Sequence, residues 1–404
     1  MDFNINEIKP IIKFIIKNNE RLQEEGKDPV AIDLVSEAGI GKSSIVQQIA
    51  EEIDANYVKL ALAQITETGD IAGFPVCLHY CCNDNGDCKW IVPELIDSFV
   101  KAGYHMTSET KMSYALPDWY NSLNLSKPTI LLLDDATRAL PNILQACYEL
   151  IYKQEFWSFK LPPRTTIILT TNPDNGDYNV NSLDEAGNTR KVTFKLKFDP
   201  NSWAEYAEHV NIDGRSINFL LSYSSELFKE NSAHEHIMNA RSYTMFSNII
   251  SGISDWSAPS SLAMIMQIAN GCFNDKDNII GSLFTTFIAN KLDKLISPED
   301  MLFGEWDKTK DRIEDCVYDG DKYKTPVASI LQTRLLNRSI EYLSQKGSNS
   351  DVVVNRLLKI LDADKMLFSE DFMFNIIKTL YSKFSSRLNK FLLNGRLRNV
   401  ILND

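Results

Sequence analysis

The clearest chemical pattern in the chain is a glycine-rich run, Gly39-Ile40-Gly41-Lys42-Ser43-Ser44, between an apolar stretch and a helical pattern. Glycines let backbone N–H groups close around phosphates, a lysine reaches the β- and γ-phosphates, and a hydroxyl binds magnesium. The N-terminus of the following helix directs the positive end of its dipole at the same anion. The run predicts a site for ATP and Mg²⁺, with a plain glycine-rich turn as the alternative. The predicted nucleotide-binding residues are Glu37, Ala38, Gly39, Ile40, Gly41, Lys42, Ser43 and Ser44.

Two further groups of polar residues end apolar runs downstream of this loop. Asp134 and Asp135 follow the run TILLL, and Asn172 follows the run TTIILTT. We expect Ser43 and Asp134 to hold magnesium, Asp135 to polarise the attacking water and Asn172 to orient that water. Each residue alone is also typical of a turn at the end of a strand. Their order behind a phosphate loop favours a catalytic site.

Apolar runs alternate with helical patterns over the first half of the chain. We predict strands near 30–35, 57–60, 129–133, 166–170 and 192–196. All-apolar strands separated by helices are typical of a parallel sheet that binds ligands at the carboxyl ends of its strands. From about Phe198 the pattern is helical, with a loop expected at 304–325. The predicted fold class is a parallel-sheet α/β P-loop nucleotide-binding domain, followed by an α-helical lid and an α-helical C-terminal region.

The stretch from Gln64 to Trp119 is the least regular part of the first half and is rich in turn residues. Long irregular insertions are usually functional. We predict a nucleotide-binding domain at 1–200 with this insertion at about 64–120, a lid at 201–275 and a C-terminal region at 276–404.

The composition narrows the class of protein. The chain of 404 residues is 44% hydrophobic and 24% charged, which is ordinary for a globular protein with a substantial core. No apolar window approaches the length of a membrane span, and the first residues lack a signal-peptide pattern. We therefore expect no membrane association and a cytoplasmic location, in the host cytoplasm if the protein is phage-encoded.

Charge bears on binding to nucleic acid. A net charge of −12 disfavours general affinity for the phosphate backbone. However, residues 372–403 contain no acidic residue. This stretch is either a solvated helix face or a docking surface for an acidic partner. Its basic residues are Lys378, Lys383, Arg387, Lys390, Arg396 and Arg398.

A cysteine cluster in the insertion has two interpretations. Thiolates and an imidazole are zinc ligands, but their spacing here fits no standard zinc module. Residues 83–87 read as a tight turn, so a plain hairpin is favoured and zinc is not expected. The cluster consists of Cys77, His79, Cys81, Cys82 and Cys88.

Several segments resemble motifs of the AAA+ ATPases and, within them, of the MoxR-type group, which includes phage-encoded members. The resemblance covers about residues 28–270. Its segments are Gly39–Ser43 for the Walker A loop, Gln64–Thr66 and Gly69–Pro75 after strand two, Tyr114–Trp119 at the end of the helix-2 insertion, Leu131–Ala139 for Walker B, Thr170–Pro173 for sensor 1, Asn181–Ala186 with Arg190 for the arginine finger, and Ala240–Ser242 for sensor 2.

The resemblance implies roles for two arginines. Arg190 would reach the ATP of a neighbouring subunit, and Arg241 would contact the γ-phosphate in cis and couple the lid to the nucleotide. It also implies a homo-oligomeric ring, most simply a hexamer, that acts on a protein client through the insertion.

The loop and the Walker B strand depart from the group at three positions. Ser36 and Ala38 stand where the group has glycine and proline, and Asp135 stands where it has glutamate. The aspartate carboxylate reaches about 1.5 Å less, and a misplacement of about 1 Å costs roughly 10²-fold in rate. We therefore expect slow but real hydrolysis.

Two other functions are compatible with the sequence. A nucleic-acid motor or loader is favoured by the basic C-terminal stretch and disfavoured by the net charge. An ATP-dependent scaffold with little turnover is favoured by the shortened side chain of Asp135.

Overall fold

The computed structural model describes residues 2–123, 126–156, 158–173, 191–228, 238–274, 278–345, 349–361, 363, 367–389 and 391. The chain divides into two compact units, Met1–Lys197 and Phe198–Asp404. Among the described residues, no helix combines the length and apolarity needed to cross a bilayer.

The first unit is built from strands and helices in alternation. Its described strands are β1 (Asp2–Phe3), β2 (Ala31–Val35), β3 (Asn56–Ala61), β4 (Phe74–Asn83), β5 (Cys88–Ile91), β6 (Tyr104–Ala115), β7 (Thr129–Asp134), β8 (Thr165–Thr171) and β9 (Lys191–Leu196). Its described helices are α1 (Ile5–Glu24), α2 (Lys42–Glu52), α3 (Gly69–Ala72), α4 (Ile96–Lys101), α5 (Asp118–Asn121) and α6 (Pro141–Lys153).

Six of these strands form one parallel sheet in the order β1-β9-β2-β8-β7-β3. Every residue of β7 and β8 is buried, as expected for all-apolar strands covered on both faces. Parallel pairing brings the carboxyl ends of β2, β7 and β8 to one edge of the sheet. This edge holds the predicted site residues.

A hydrophobic core covers each face of the sheet. On one face, Ile12 of α1 and Ile45 of α2 pack with Leu132. On the other face, Ile143 of α6 packs with Leu131 in a second core. The apolar residues of α6 recur every three or four positions, which gives the helix one buried side.

The second unit is α-helical apart from one short hairpin among its described residues. Its described helices are α7 (Pro200–His209), α8 (Gly214–Leu227), α9 (Ala240–Ile250), α10 (Pro259–Phe273), α11 (Ile279–Ala289), α12 (Pro298–Phe303), α13 (Trp306–Val317), α14 (Thr325–Ser344), α15 (Asn349–Leu361) and α16 (Glu370–Phe384). The predicted fold class, a parallel α/β domain followed by helical regions, is confirmed.

Two hydrophobic cores lie within the second unit, one from Trp203 to Phe287 and one from Ile296 to Phe391. A buried ion pair links them, since Arg334 of α14 donates to Glu208 of α7 at 2.6 Å. Burial raises the pKa of Glu208, although Arg334 counteracts that rise. The assignment of a lid at 201–275 and a C-terminal region at 276–404 stays a prediction.

Two features of the second unit modify the sequence interpretation. The expected loop at 304–325 is wrong, because α13 and a hairpin of β10 (Tyr318–Asp319) and β11 (Lys322–Tyr323) occupy it. The helix escaped notice because few of its residues are apolar and buried. In the basic C-terminal stretch, Arg387 donates to the carbonyls of Leu343 and Gln345 at the end of α14, so that arginine has a structural role.

The insertion between β3 and β7 is more regular than predicted. The strands β5, β4 and β6 form an antiparallel sheet in that order, and β6 alone is 12 residues long. Most side chains of β6 are solvent-exposed. The strand therefore lacks the alternation of apolar and polar residues that normally reveals a half-buried strand.

The predicted hairpin in the cysteine cluster is confirmed. Cys82 and Cys88 lie opposite each other on β4 and β5 and are joined by a disulfide, a pairing that the sequence analysis did not anticipate. Cys77 and Cys81 are free thiols. Within the described part of the chain, no group of three or more side chains has the arrangement of a metal site.

A glycine closes the base of this insertion. Gly73 lies between α3 and β4 with a φ of +87°, a conformation that favours glycine. A Cβ atom at this position would lie 2.2 Å from the carbonyl oxygen of Ala115, the last residue of β6. Gly73 therefore lets the two ends of the insertion approach each other.

Replacing Gly73 tests this close approach. We expect Gly73→Ala to lower the free energy of unfolding by about 2 kcal/mol or more, because backbone strain adds to a backbone clash. The matched control is Gly86→Ala, which has a φ of +83° and no atom within 4 Å of the new Cβ. It should lose only about 1 kcal/mol in denaturant titrations. Equal losses in the two variants would contradict the steric account.

Candidate functional site

The glycine-rich loop spans residues 36–41, between the end of β2 and the first residue of α2. Gly39 and Gly41 have φ values of +84° and +105°, which glycine adopts without strain. The loop thereby turns sharply and leads into the N-terminus of α2, where backbone N–H groups lack helical partners. This is a strand, loop and helix arrangement suited to an anion.

Lys42 lies at the start of α2 and is buried. Its ammonium group donates to the carbonyls of Ser36 at 2.6 Å and of Glu37 at 3.0 Å. It also contacts the side-chain oxygen of Asn172 at 3.0 Å. The loop, the helix and the end of β8 therefore meet at one cation.

Ser36, which replaces the usual glycine, takes part in this arrangement. Its hydroxyl lies 3.1 Å from the Lys42 ammonium, and its N–H donates to the carbonyl of Thr171 at 3.2 Å. The residue is 4% exposed. The substitution therefore adds a ligand to Lys42 and keeps the loop attached to β8.

The carboxylate of Asp134 is held by three side chains. Ser43 donates to its Oδ1 at 2.5 Å and Thr170 donates to the same atom at 2.6 Å. Lys59 of β3 pairs with its Oδ2 at 2.6 Å. Burial acts to raise the pKa of Asp134, but the hydrogen bonds from Lys59, Ser43 and Thr170 outweigh it and hold that pKa below its usual value.

The donors at this point suit magnesium. Mg²⁺ prefers oxygen ligands, typically one or two carboxylates together with substrate phosphates. The Ser43 hydroxyl and the Asp134 carboxylate are adjacent oxygen donors at the start of α2. These residues fit Mg²⁺ chemically.

Asp135 has a left-handed backbone conformation, with a φ of 54°. Its N–H donates to the Thr170 hydroxyl at 2.9 Å, which fixes the turn after β7. Asp and Asn adopt this conformation more readily than most residues. The side chain is partly exposed and directly follows the Asp134 position.

Asn172 directly follows β8 and is 4% exposed. Its N–H donates to the Thr137 hydroxyl at 3.1 Å, while its side-chain oxygen accepts from Lys42. An amide held in this way retains an N–H₂ donor for a neighbouring group.

The other predicted site residues do not all join this cluster. Ser44 and Glu37 are exposed, Ala38 is partly buried and Ile40 is buried. Arg190 lies outside the described residues. Arg241 is exposed in the first turn of α9 and belongs to the second unit.

Sequence reasoning missed three side chains around the site. Thr170 and Lys59 bind Asp134, and Asp33 binds the hydroxyl of Thr171 at 2.7 Å. Asp33 carried a visible signal, because an aspartate interrupts the apolar run of β2. Thr170 and Lys59 are ordinary strand residues in the sequence and carried no signal.

No family model and no curated protein matches this chain. Two mutant forms of Thermotoga maritima RuvB align with it at TM-scores of 0.38 and 0.37 and identities of 11% and 12%, over 66% and 94% of this chain and 69% and 94% of theirs. A closed-state structure of Hsp104 with casein aligns at a TM-score of 0.33 and 12% identity, over 70% of this chain and 46% of that chain. At TM-scores this low, the similarities carry no argument about activity.

Replacing Asp135 tests its assignment as the residue that polarises water. We expect Asp135→Asn to lower phosphate release by about 10²-fold or more, because the amide cannot accept a proton. ATP affinity should be unchanged, and asparagine tolerates the left-handed backbone.

The matched control is Asp54→Asn, since Asp54 also has a left-handed backbone, with a φ of 52°, and pairs with Lys127 away from the site. This variant should hydrolyse ATP like the wild type. Unchanged turnover in Asp135→Asn would remove Asp135 from the reaction.

Proposed function

We propose that this protein is an ATP-hydrolysing ring protein of the AAA+ class, of the MoxR type, that remodels or activates a partner protein. The observation that carries the proposal is the meeting of Lys42, Ser43, Asp134 and Asn172 at the carboxyl edge of a parallel sheet. These four side chains come from a glycine-rich loop, a helix N-terminus and two strand ends, and each suits one part of an ATP site.

The chain's own groups support a division of tasks. The Lys42 ammonium would neutralise the β- and γ-phosphates in place of its present contacts with loop carbonyls. Ser43 and Asp134 would hold Mg²⁺, which when bound neutralises phosphate charge. Asp135 would accept the proton of the attacking water, and the Asn172 amide would orient that water.

The reaction is hydrolysis of the terminal phosphoanhydride. The water oxygen forms a bond to the γ-phosphorus while the bond to the β-phosphate bridging oxygen breaks, which yields ADP and phosphate. The short side chain of Asp135 favours slow turnover.

The ring is part of the proposal through two arginines. Arg190 would stabilise charge on the ATP of a neighbouring subunit, and Arg241 would report the state of the γ-phosphate to the helical lid. An arginine supplied in trans is worth about 10³–10⁵ in rate in related reactions. Such a site is complete only between subunits, most simply in a hexamer.

The insertion is the proposed output of the ring. Its antiparallel sheet exposes large apolar side chains, with Phe74 50%, Met106 53% and Met112 72% exposed. Exposed apolar groups collected on one structural element are typical of interaction surfaces, and flexible methionines suit varied partners. These features support a protein client.

A mixing experiment tests the shared active site. We expect Lys42→Ala to lose ATP binding, and Arg190→Ala to bind ATP but to release phosphate about 10³-fold more slowly than the wild type. Mixed in equal amounts, the two inactive variants should recover part of the wild-type rate, because a Lys42→Ala subunit donates its intact Arg190 to the ATP of its neighbour.

Wild-type phosphate release per subunit should also rise with protein concentration. No recovery on mixing, together with concentration-independent turnover, would contradict the ring. Bound ATP without any phosphate release would indicate an assembly protein, and stimulation by DNA that is lost at raised salt would indicate a nucleic-acid motor.

A further inference from the structure

A charged pair lies inside the central sheet, next to the site but outside the proposed chemistry. Asp33 is in the middle of β2 and is 1% exposed. The ammonium of Lys191, the first residue of β9, pairs with its Oδ2, and the two side chains are 3% and 2% exposed. The Thr171 hydroxyl donates to its Oδ1 at 2.7 Å. Both carboxylate oxygens are therefore bound.

The register explains how Asp33 reaches both partners. Asp33 is opposite Leu169 of β8 and Thr193 of β9. Thr171 lies two residues further along β8, and Lys191 lies two residues earlier on β9, so both side chains share its face of the sheet. The three side chains form a diagonal across three neighbouring strands.

Stability alone does not account for a charged pair here. The desolvation of a buried ion pair often exceeds its Coulombic gain, and well-packed apolar residues are commonly at least as stable. The neighbouring positions Ile32 and Leu34 are apolar and fully buried. A role in fixing geometry accounts better for a carboxylate at position 33.

The fixed geometry leads to the site in one step. Thr171 is the last residue of β8 and directly precedes Asn172, whose side chain contacts Lys42. Thr170, on the opposite face, binds Asp134. The last two residues of β8 therefore attach to one acid on each face of the sheet.

We propose that Asp33 is a positioning residue, which through the Thr171 hydroxyl fixes the end of β8 and so aligns the Asn172 amide with Lys42. Lys191 supplies the positive charge that keeps the Asp33 carboxylate ionised in the core. The inference deepens the proposed ATP hydrolysis and rests on it for its effect on rate.

The test uses two threonines of the same strand. Thr171→Val removes the hydroxyl that reaches Asp33, with little change in shape. Thr165→Val is the matched control, because Thr165 is fully buried at the other end of β8 and its hydroxyl also makes one hydrogen bond, to the carbonyl of Pro162 at 2.8 Å. Both variants should lose similar amounts of thermal stability.

Turnover separates a positioning role from a structural one. We expect Thr171→Val to lower kcat about tenfold with unchanged ATP affinity, because the amide is misaligned rather than removed. Thr165→Val should keep the wild-type kcat, and Thr171→Ser, which retains the hydroxyl, should restore it. Equal kcat values in Thr171→Val and Thr165→Val would overturn the inference.

Hydrogen exchange provides a second readout that needs no turnover. Amides of residues 170–172 should exchange several-fold faster in Thr171→Val and at the wild-type rate in Thr165→Val. If the wild type releases no phosphate, the proposed function fails, and this comparison still decides the inference. Equal exchange of residues 170–172 in the two variants would overturn it.

Discussion

The site depends above all on the carboxylate of Asp134. It accepts hydrogen bonds from Ser43 at the start of α2 and from Thr170 on β8, and it pairs with Lys59 on β3. One side chain at the end of β7 thus connects a helix and both neighbouring strands. The three donors keep the acid ionised despite its partial burial, which is the state that binds a divalent cation. The parallel sheet makes this possible because it brings the carboxyl ends of its strands to one edge.

The sheet also carries polar contacts in its interior, and these align the edge. Thr170 and Thr171 point to opposite faces, where they bind Asp134 and Asp33. Lys42 connects the same strand end to the glycine-rich loop through Asn172. The strand end, the loop and the helix therefore form one network, in which a displacement of β8 would move the Asn172 amide relative to Lys42. Such networks fix geometry more than they add stability.

The sequence predicts these parts of the molecule unequally, for physical reasons. The strands β7 and β8 were recognisable because strands buried on both faces must be apolar throughout. The loop was recognisable because its backbone needs glycine at Gly39 and Gly41. The insertion sheet was not recognisable, because β6 is exposed on both sides and has no apolar period. The roles of Lys59 and Thr170 depend on which strands are neighbours, and strand order is a tertiary property that residue patterns do not encode.

The central claim is that Ser43 and Asp134 bind magnesium beside a nucleotide held by Lys42. The most direct measurement is the affinity for ATP with and without Mg²⁺, in the wild type and in Ser43→Ala. The account predicts that Mg²⁺ tightens ATP binding to the wild type. It predicts that Ser43→Ala loses this gain and keeps the weaker, magnesium-free binding that Lys42 and the loop provide. Wild-type ATP binding that is insensitive to Mg²⁺ and unchanged by Ser43→Ala would contradict the account.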